Sequence, residues 1–136
     1  MDESAIREVV GEYFDRLNHD RFDELVELFA PDAELRAPGF SSPRRGHEEL
    51  RRYYETVLRP YPEHWDEPVR VVVADDMAFV DIHYDGRLPN GQPLSFDAHN
   101  VYELSEGRIE RLTSYYDSHA VHKALQQAKA ASGPEQ

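Results

Sequence analysis

The stretch SFDAHNVYELSEGRIERLTSYYD, residues 95–117, reads as two strands around a tight turn. Phe96, Ala98, Asn100, Tyr102 and Leu104 alternate with Ser95, Asp97, His99, Val101 and Glu103. That period of two marks a half-buried strand. Ser105 to Arg108 makes the turn, with Gly107 supplying a positive φ. In the second strand Leu112, Ser114 and Tyr116 share one face, and Thr113, Tyr115 and Asp117 the other. The more apolar set of the first strand, Phe96 to Leu104, is expected to face the core, which leaves Asn100 there as an odd polar group in need of a partner.

The same period extends upstream to Pro68. Val69–Val73 and Met77–Gly86 read as strands around Asp75-Asp76, and Asn90-Gly91 is a strong hairpin signal before the strand from Ser95. Before Pro68 the spacing is helical. Ile6, Val9, Val10, Tyr13, Phe14 and Leu17 form one stripe, and a second helix is expected over Phe22–Phe29, stopped by Pro31. A short strand follows at Ala33–Ala37, and Gly46 opens a third helix that ends by Pro60 or Pro62. A last short helix is expected over His119–Ala131. Helices first and then an antiparallel meander predict an α+β fold. The expected shape is a cone-shaped barrel of curved, mixed or antiparallel sheet, with the N-terminal helices on its concave face and a pocket between the layers.

Composition sets the outer bounds. A chain of 136 residues, 40% hydrophobic, suits one domain. It is expected over residues 1–130, with a disordered tail at 131–136. No cysteine is present, which excludes disulfides and thiolate chemistry. A formal charge of -12 repels nucleic-acid backbones and anionic membranes, so neither is expected as a partner. The dense basic spots are PRRG at 43–46 and LRRYY at 50–54. The acidic, amphipathic N-terminus is unlike a signal peptide, and no apolar run approaches the roughly 20 residues of a membrane span. A cytoplasmic location is the expectation.

Three pieces resemble a known family: EYFDRLNHDRFDELVELFAPDAELRAPG, RRGHEELRRYYETV and YELSEGRIERLTSYYD. In order and spacing they are similar to the nuclear-transport-factor-2-like superfamily, most closely its SnoaL-like polyketide cyclase and ketosteroid isomerase branch. The resemblance covers residues 5–125. It implies the cone fold and a cofactor-free, metal-free cyclase or isomerase. Tyr13 falls where the isomerases keep an oxyanion donor, and Asn100 where they keep a second. Ala37 stands where they keep their proton-shuttling aspartate, so that mechanism lacks its base here. Asp117 matches an acid–base position of the polyketide cyclases. The superfamily also holds epoxide hydrolases and non-catalytic binding or scaffold domains, and these remain alternatives.

Read from the residues alone, Tyr13 lies on or beside the buried stripe of its helix, as a core tyrosine or as a donor into a pocket. Asp81 and His83 depend on register. A two-residue turn at Asn90-Gly91 pairs Asp81 with Asn100 and His83 with Ala98, putting a His/Asp acid–base dyad inside; this is the register expected. A one-residue slip pairs Asp81 with His99 and His83 with Asp97, as crossed ion pairs on the outer face. Asp117 is either a rim acid or the N-cap of the last helix. His119 and His122 lack the companions of a metal motif. Tyr54 rather than Tyr53 is expected on the pocket wall, with Ala98 and Tyr102, and the resemblance implies that the Ser114 and Tyr116 face joins them. Trp65, in a proline-rich segment, is expected as a lid or a loop anchor. No phosphate loop or nucleophile elbow is present. With these readings of the residues, the resemblance implies cyclisation or isomerisation of a hydrophobic polyketide-like or terpenoid-like molecule, with no cofactor. The mixed outer face of the sheet suggests a homodimer.

Overall fold

The computed structural model describes residues 1–132. Helices α1 (Glu3–Asn18), α2 (Phe22–Val26) and α3 (Gly46–Leu58) precede most of the sheet. The strands are β1 (Phe29–Arg36), β2 (Arg44–Arg45), β3 (Glu63–Ala74), β4 (Met77–Arg87), β5 (Pro93–Ser105) and β6 (Arg108–Tyr116), and α4 (Ser118–Ser132) ends the described chain. Residues 131 and 132 thus belong to a helix, and the rest of the expected tail lies outside the described residues. The strand order β2-β1-β6-β5-β4-β3 makes one curved, unclosed α+β sheet, antiparallel except for the β1–β6 pair. Asp2 caps α1 by accepting the Ala5 N–H at 2.7 Å, and the buried stripe Ile6, Val10, Tyr13, Phe14 and Leu17 lies against the concave face. Tyr102, Phe29, Ile6, Leu25, Leu35, Leu50, Ile109, Leu112 and Val80 are its most buried large side chains.

Two local features govern which residues face inward. The first is the β4–β5 turn. A two-residue Asn90-Gly91 loop would need residue 89 to donate its N–H to Gln92, and Pro89 has none. Leu88 donates instead to the Gln92 carbonyl at 2.8 Å, around a three-residue loop with Gly91 at φ +90. The register is therefore Asp81 opposite His99 and His83 opposite Asp97. The expected inward dyad does not form.

The second is a bulge in β3. Pairing runs Val71 with Val80, Arg70 with Asp81, then Pro68 with Ile82, so Val69 is the extra residue. Below it the facing parity inverts. Val71 and Val73 face the core with Val80 and Ala78; Asp66 and His64 face inward with Tyr84 and Gly86. Trp65 and Glu67 turn outward. Segment 63–67 is thus strand rather than loop. At the other end of the chain, β1 begins at Phe29, earlier than the Ala33 expected, because Phe29 pairs with Ile109 and the Leu28 carbonyl accepts the Ile109 N–H at 2.9 Å.

Candidate active site

A cavity of about 160 Å³ opens between the concave face and the helices. Its walls come from α1 (Tyr13, Leu17), α3 (Tyr53, Tyr54, Val57, Leu58), β3 (Asp66), β4 (Ile82, Tyr84), β5 (Leu94, Phe96, Ala98, Asn100), β6 (Ser114, Tyr116) and α4 (Val121), with Leu35 and Tyr61 completing them. Most of this lining is aromatic or aliphatic. Tyr84 stacks on Phe96 with ring centroids 4.7 Å apart, and Phe96 meets Tyr116 at 5.5 Å. Tyr53 and Tyr54 both reach the cavity: Tyr54 is buried and Tyr53 half-buried, the space lying astride the two adjacent positions.

A polar array runs along one side. Ser114 Oγ donates to Asn100 Oδ1 at 2.6 Å, and Asn100 Nδ2 donates to the Tyr102 hydroxyl at 3.0 Å. A primary amide carries two N–H bonds, which leaves one for a ligand. The Tyr13 and Tyr54 hydroxyls are 2.9 Å apart and share a hydrogen bond. Burial pushes Tyr13, Tyr54 and Tyr102 well above the ordinary phenol range, so all three stay neutral donors. Tyr102 itself is fully buried behind the wall, its ring centroid 5.2 Å from that of Tyr13.

Asp66 is the one carboxylate among the described residues lining this cavity. Its backbone lies on the free edge of β3, where Asn18 at the end of α1 acts in place of a neighbouring strand. Asn18 Nδ2 donates to the Asp66 carbonyl at 2.9 Å, and Asn18 Oδ1 accepts the Asp66 N–H at 2.8 Å. Part of the side-chain surface is open to the cavity, yet protein surrounds it on most sides. That burial pushes the carboxyl up to about 6, against the opposing charge of His64. His64 is held by Asp20 through its Nε2. A carboxylate with such a value is mostly ionised at neutral pH and basic enough to accept a proton from a weak carbon or oxygen acid.

Tyr13, Asn100, Tyr54, Ala98, Ser114 and Tyr116 all stand at the cavity. Asp81 and His83 do not. They lie on the convex face, where His99 Nδ1 meets Asp81 at 2.6 Å and His83 Nδ1 meets Asp97 at 2.9 Å. Asp117 is exposed and caps α4, accepting the Ala120 N–H at 3.0 Å. Trp65 is 44% exposed, its indole N–H donating to Glu67, and covers no part of the cavity. His119 and His122 lie on exposed positions of α4, and no cluster of three metal-binding side chains occurs among the described residues. Asp66 is the residue that sequence reasoning missed. Alternation carried back from Val73 without the bulge would have sent Trp65 and Glu67 inward. The usable signal was Pro68, which cannot continue a regular ladder.

No helix among the described residues is long and apolar enough to cross a membrane. Solved structures share this architecture. SalBIII, an epoxide hydrolase/cyclase-like enzyme of pyran ring formation in polyether salinomycin, is 25% identical, with a TM-score of 0.77 over 87% of this chain and 95% of its own. TerC, crystallised with polyporic acid, is 15% identical, with a TM-score of 0.82 over 90% and 98%. An LEH-like epoxide hydrolase of M. tuberculosis is 20% identical, with a TM-score of 0.74 over 93% and 92%. The model of the SnoaL-like domain matches residues 10–112, from the middle of α1 to the inward-facing Leu112 of β6. Helices, sheet and cavity walls all fall largely within that match, and the chain belongs to the SnoaL-like domain family.

Proposed function

We propose that this protein is a cofactor-free acid–base catalyst of ring closure or isomerisation on a hydrophobic, polyketide-like or terpenoid-like small molecule, with Asp66 as the base. The observation that carries the reading is a lone carboxylate, raised to about 6, sharing an aromatic cavity with neutral phenol and amide donors. Asp66 takes a proton from carbon next to a carbonyl; the C–H electron pair becomes the enolate. Of the Tyr13–Tyr54 pair, the hydroxyl that accepts in their shared hydrogen bond keeps its own O–H free; it donates to the developing oxyanion together with the second amide hydrogen of Asn100. In ring closure the enolate carbon bonds to an internal carbonyl carbon, and the protonated Asp66 returns its proton to the new alkoxide. In isomerisation the proton returns to another carbon of the same system. The dry, aromatic walls hold the substrate folded, which supplies much of the rate.

The similarity to SalBIII favours one variant of this chemistry. Asp66 then deprotonates a substrate hydroxyl whose oxygen attacks an epoxide carbon, the epoxide C–O bond breaks, a neutral tyrosine protonates the leaving oxygen, and the proton held by Asp66 returns to that tyrosine through solvent. The carboxylate–arginine–carboxylate set of an epoxide-hydrolysing site is not found among the described cavity residues. The test is turnover of poly-β-ketone thioester mimics and hydroxy-epoxides by wild type, D66N, Y13F and N100A. Loss in D66N supports the assignment. Equal turnover in D66N removes Asp66, and no turnover above background, with binding retained, favours the non-catalytic binding domain.

The proposal extends to a homodimer formed through the convex face, where Val69, Val72 and Tyr115 are 62%, 46% and 55% exposed. Light scattering that gives the 15.8 kDa monomer at micromolar concentration would remove it.

A further inference from the structure

The sequence stretch PRRG at 43–46 is one of two dense basic spots in a chain with 27 acids and 15 bases. The short strand β2 sends its two arginines to opposite faces. Arg45 goes to the convex side, where its guanidinium binds Glu34. That carboxylate also meets Arg111 at 3.2 Å and Arg36 at 3.4 Å. Burial alone would raise Glu34, but the charges of Arg45, Arg36 and Arg111 outweigh it and hold the carboxyl below its ordinary value. Arg45 is therefore consumed by structure.

Arg44 pairs across the strand with Leu35, a wall of the cavity, and so shares the concave side. Its guanidinium lies over the Phe40 ring, 4.2 Å from the centroid, and one N–H donates to the Ser42 carbonyl at 3.3 Å. It forms no ion pair with a carboxylate among the described residues. The groove it heads, about 620 Å³, adjoins the inner cavity, with Tyr53, Val57 and Tyr116 lining both. Two other charged side chains line that groove, and both are engaged. Glu49 accepts the Arg45 backbone N–H at 2.9 Å, and Arg52 binds Glu48 at 3.3 Å.

We infer that this groove is a seat for a terminal oxyanion of the ligand, held by Arg44, so that the cavity takes an amphipathic acid whose apolar body lies inside and whose carboxylate or phosphate end lies at the mouth. The inference rests on the proposed reading only in requiring that the cavity hold a ligand. Stacking on Phe40 restrains the guanidinium fork before binding, which reduces the entropy lost on pairing with an oxyanion. The net charge of -12 repels anions at long range, so an anionic ligand needs such a local cation.

Calorimetric titration with decanol, decanoate and decyl phosphate tests this on wild type, R44Q and R45Q at neutral pH. Wild type should bind at least one of the anions about tenfold more tightly than decanol, the gain expected of one hydrogen-bonded charge pair. Which anion gains more distinguishes a carboxylate from a phosphate end. R44Q should erase that advantage and leave decanol unchanged, while R45Q keeps it. Equal binding of all three by wild type, or an R44Q loss that is the same for alcohol and acids, overturns the anion seat while leaving the cavity reading intact. Failure of all three to bind removes the cavity reading and the seat together.

Discussion

On the convex face of the sheet Asp81 lies between His99 and Arg70, with contacts of 2.6 and 2.8 Å. On the concave face Asp66 has its backbone clamped and its carboxylate turned to a cavity. The hydrogen bond from His99, helped by Arg70, holds Asp81 below its ordinary value. Burial pushes Asp66 up to about 6. The side chain is the same, and the surroundings reverse the direction. Charged partners at a surface make a carboxylate a weaker base; a dry wall with few charges makes it a stronger one. Asp81 is thus the weaker base of the two carboxylates, although its pairing with a histidine looks more like a catalytic dyad.

The largest effect expected from this contrast is on rate. D66N should lower turnover by about 10²–10⁴-fold, the usual worth of a general base. D81N and H83Q should leave it within a factor of about two, since surface changes away from special features are close to neutral. In wild type the rate should rise with pH through about 6, as Asp66 loses its proton. A pH–rate profile that keeps this limb in D66N would assign it to another group.

The next effect is on stability, and its sign is opposite. The Asp66 carboxyl has a folded value of about 6 against an ordinary aspartate value of 3.8. A carboxyl raised by folding holds its proton better in the native state. Its contribution to stability is greatest below the unfolded value and is lost as pH rises from about 4 through 6. D66N removes the buried charge, so it should be more stable than wild type by about 1–3 kcal/mol at pH 8, with the gap closing by about pH 4. Thermal unfolding at the two pH values reads this directly. A D66N protein less stable at pH 8 would mean that the carboxylate is paired in solution.

A third effect concerns packing at the cavity end. A Cβ on Gly86 would stand 2.4 Å from the Tyr84 hydroxyl and 2.8 Å from the Glu63 carbonyl. G86A must therefore displace the Tyr84 ring, which stacks on Phe96 in the cavity wall, and shift the Glu63 backbone, at about 1–3 kcal/mol for overpacking. Long ligands should lose affinity before short ones do. Unchanged melting and unchanged affinity would show that the ring has room to move.

The outline of the fold was legible because periods of 3.6 and 2 survive in residues 3–17 and 95–116 with little interruption. The positions of Asn100, Ser114 and Tyr116 at the cavity follow from that alternation. The rest turned on single residues that break a period. Pro89 lacks the N–H that the tighter hairpin needs, so His83 and Asp81 face out. The bulge at Val69 inverts β3, so Asp66 faces in and Trp65 out. A bulge leaves no mark in hydrophobic spacing when the flanking residues, as in EHWDEP, are mostly polar. The capping role of Asp117 was legible from its place before SHAVHKAL, and the structure realises that alternative.

The smallest effect belongs to the convex ladder. The Asp97 hydrogen bond first, and the charge of Asp85 with it, raise His83 above its ordinary value. A histidine raised by folding stabilises when protonated. That contribution is present below about pH 6.5 and is lost as pH rises through the raised value. The pair is exposed, so solvent and salt screen it. H83Q should therefore lower the melting temperature by only about a degree at pH 5.5, less in high salt, and not at all at pH 9. Turnover should be unmoved at every pH. An H83Q variant that shifts the acidic limb of the pH–rate profile would break the contrast between the two faces, because it would couple the ladder to Asp66 through the sheet.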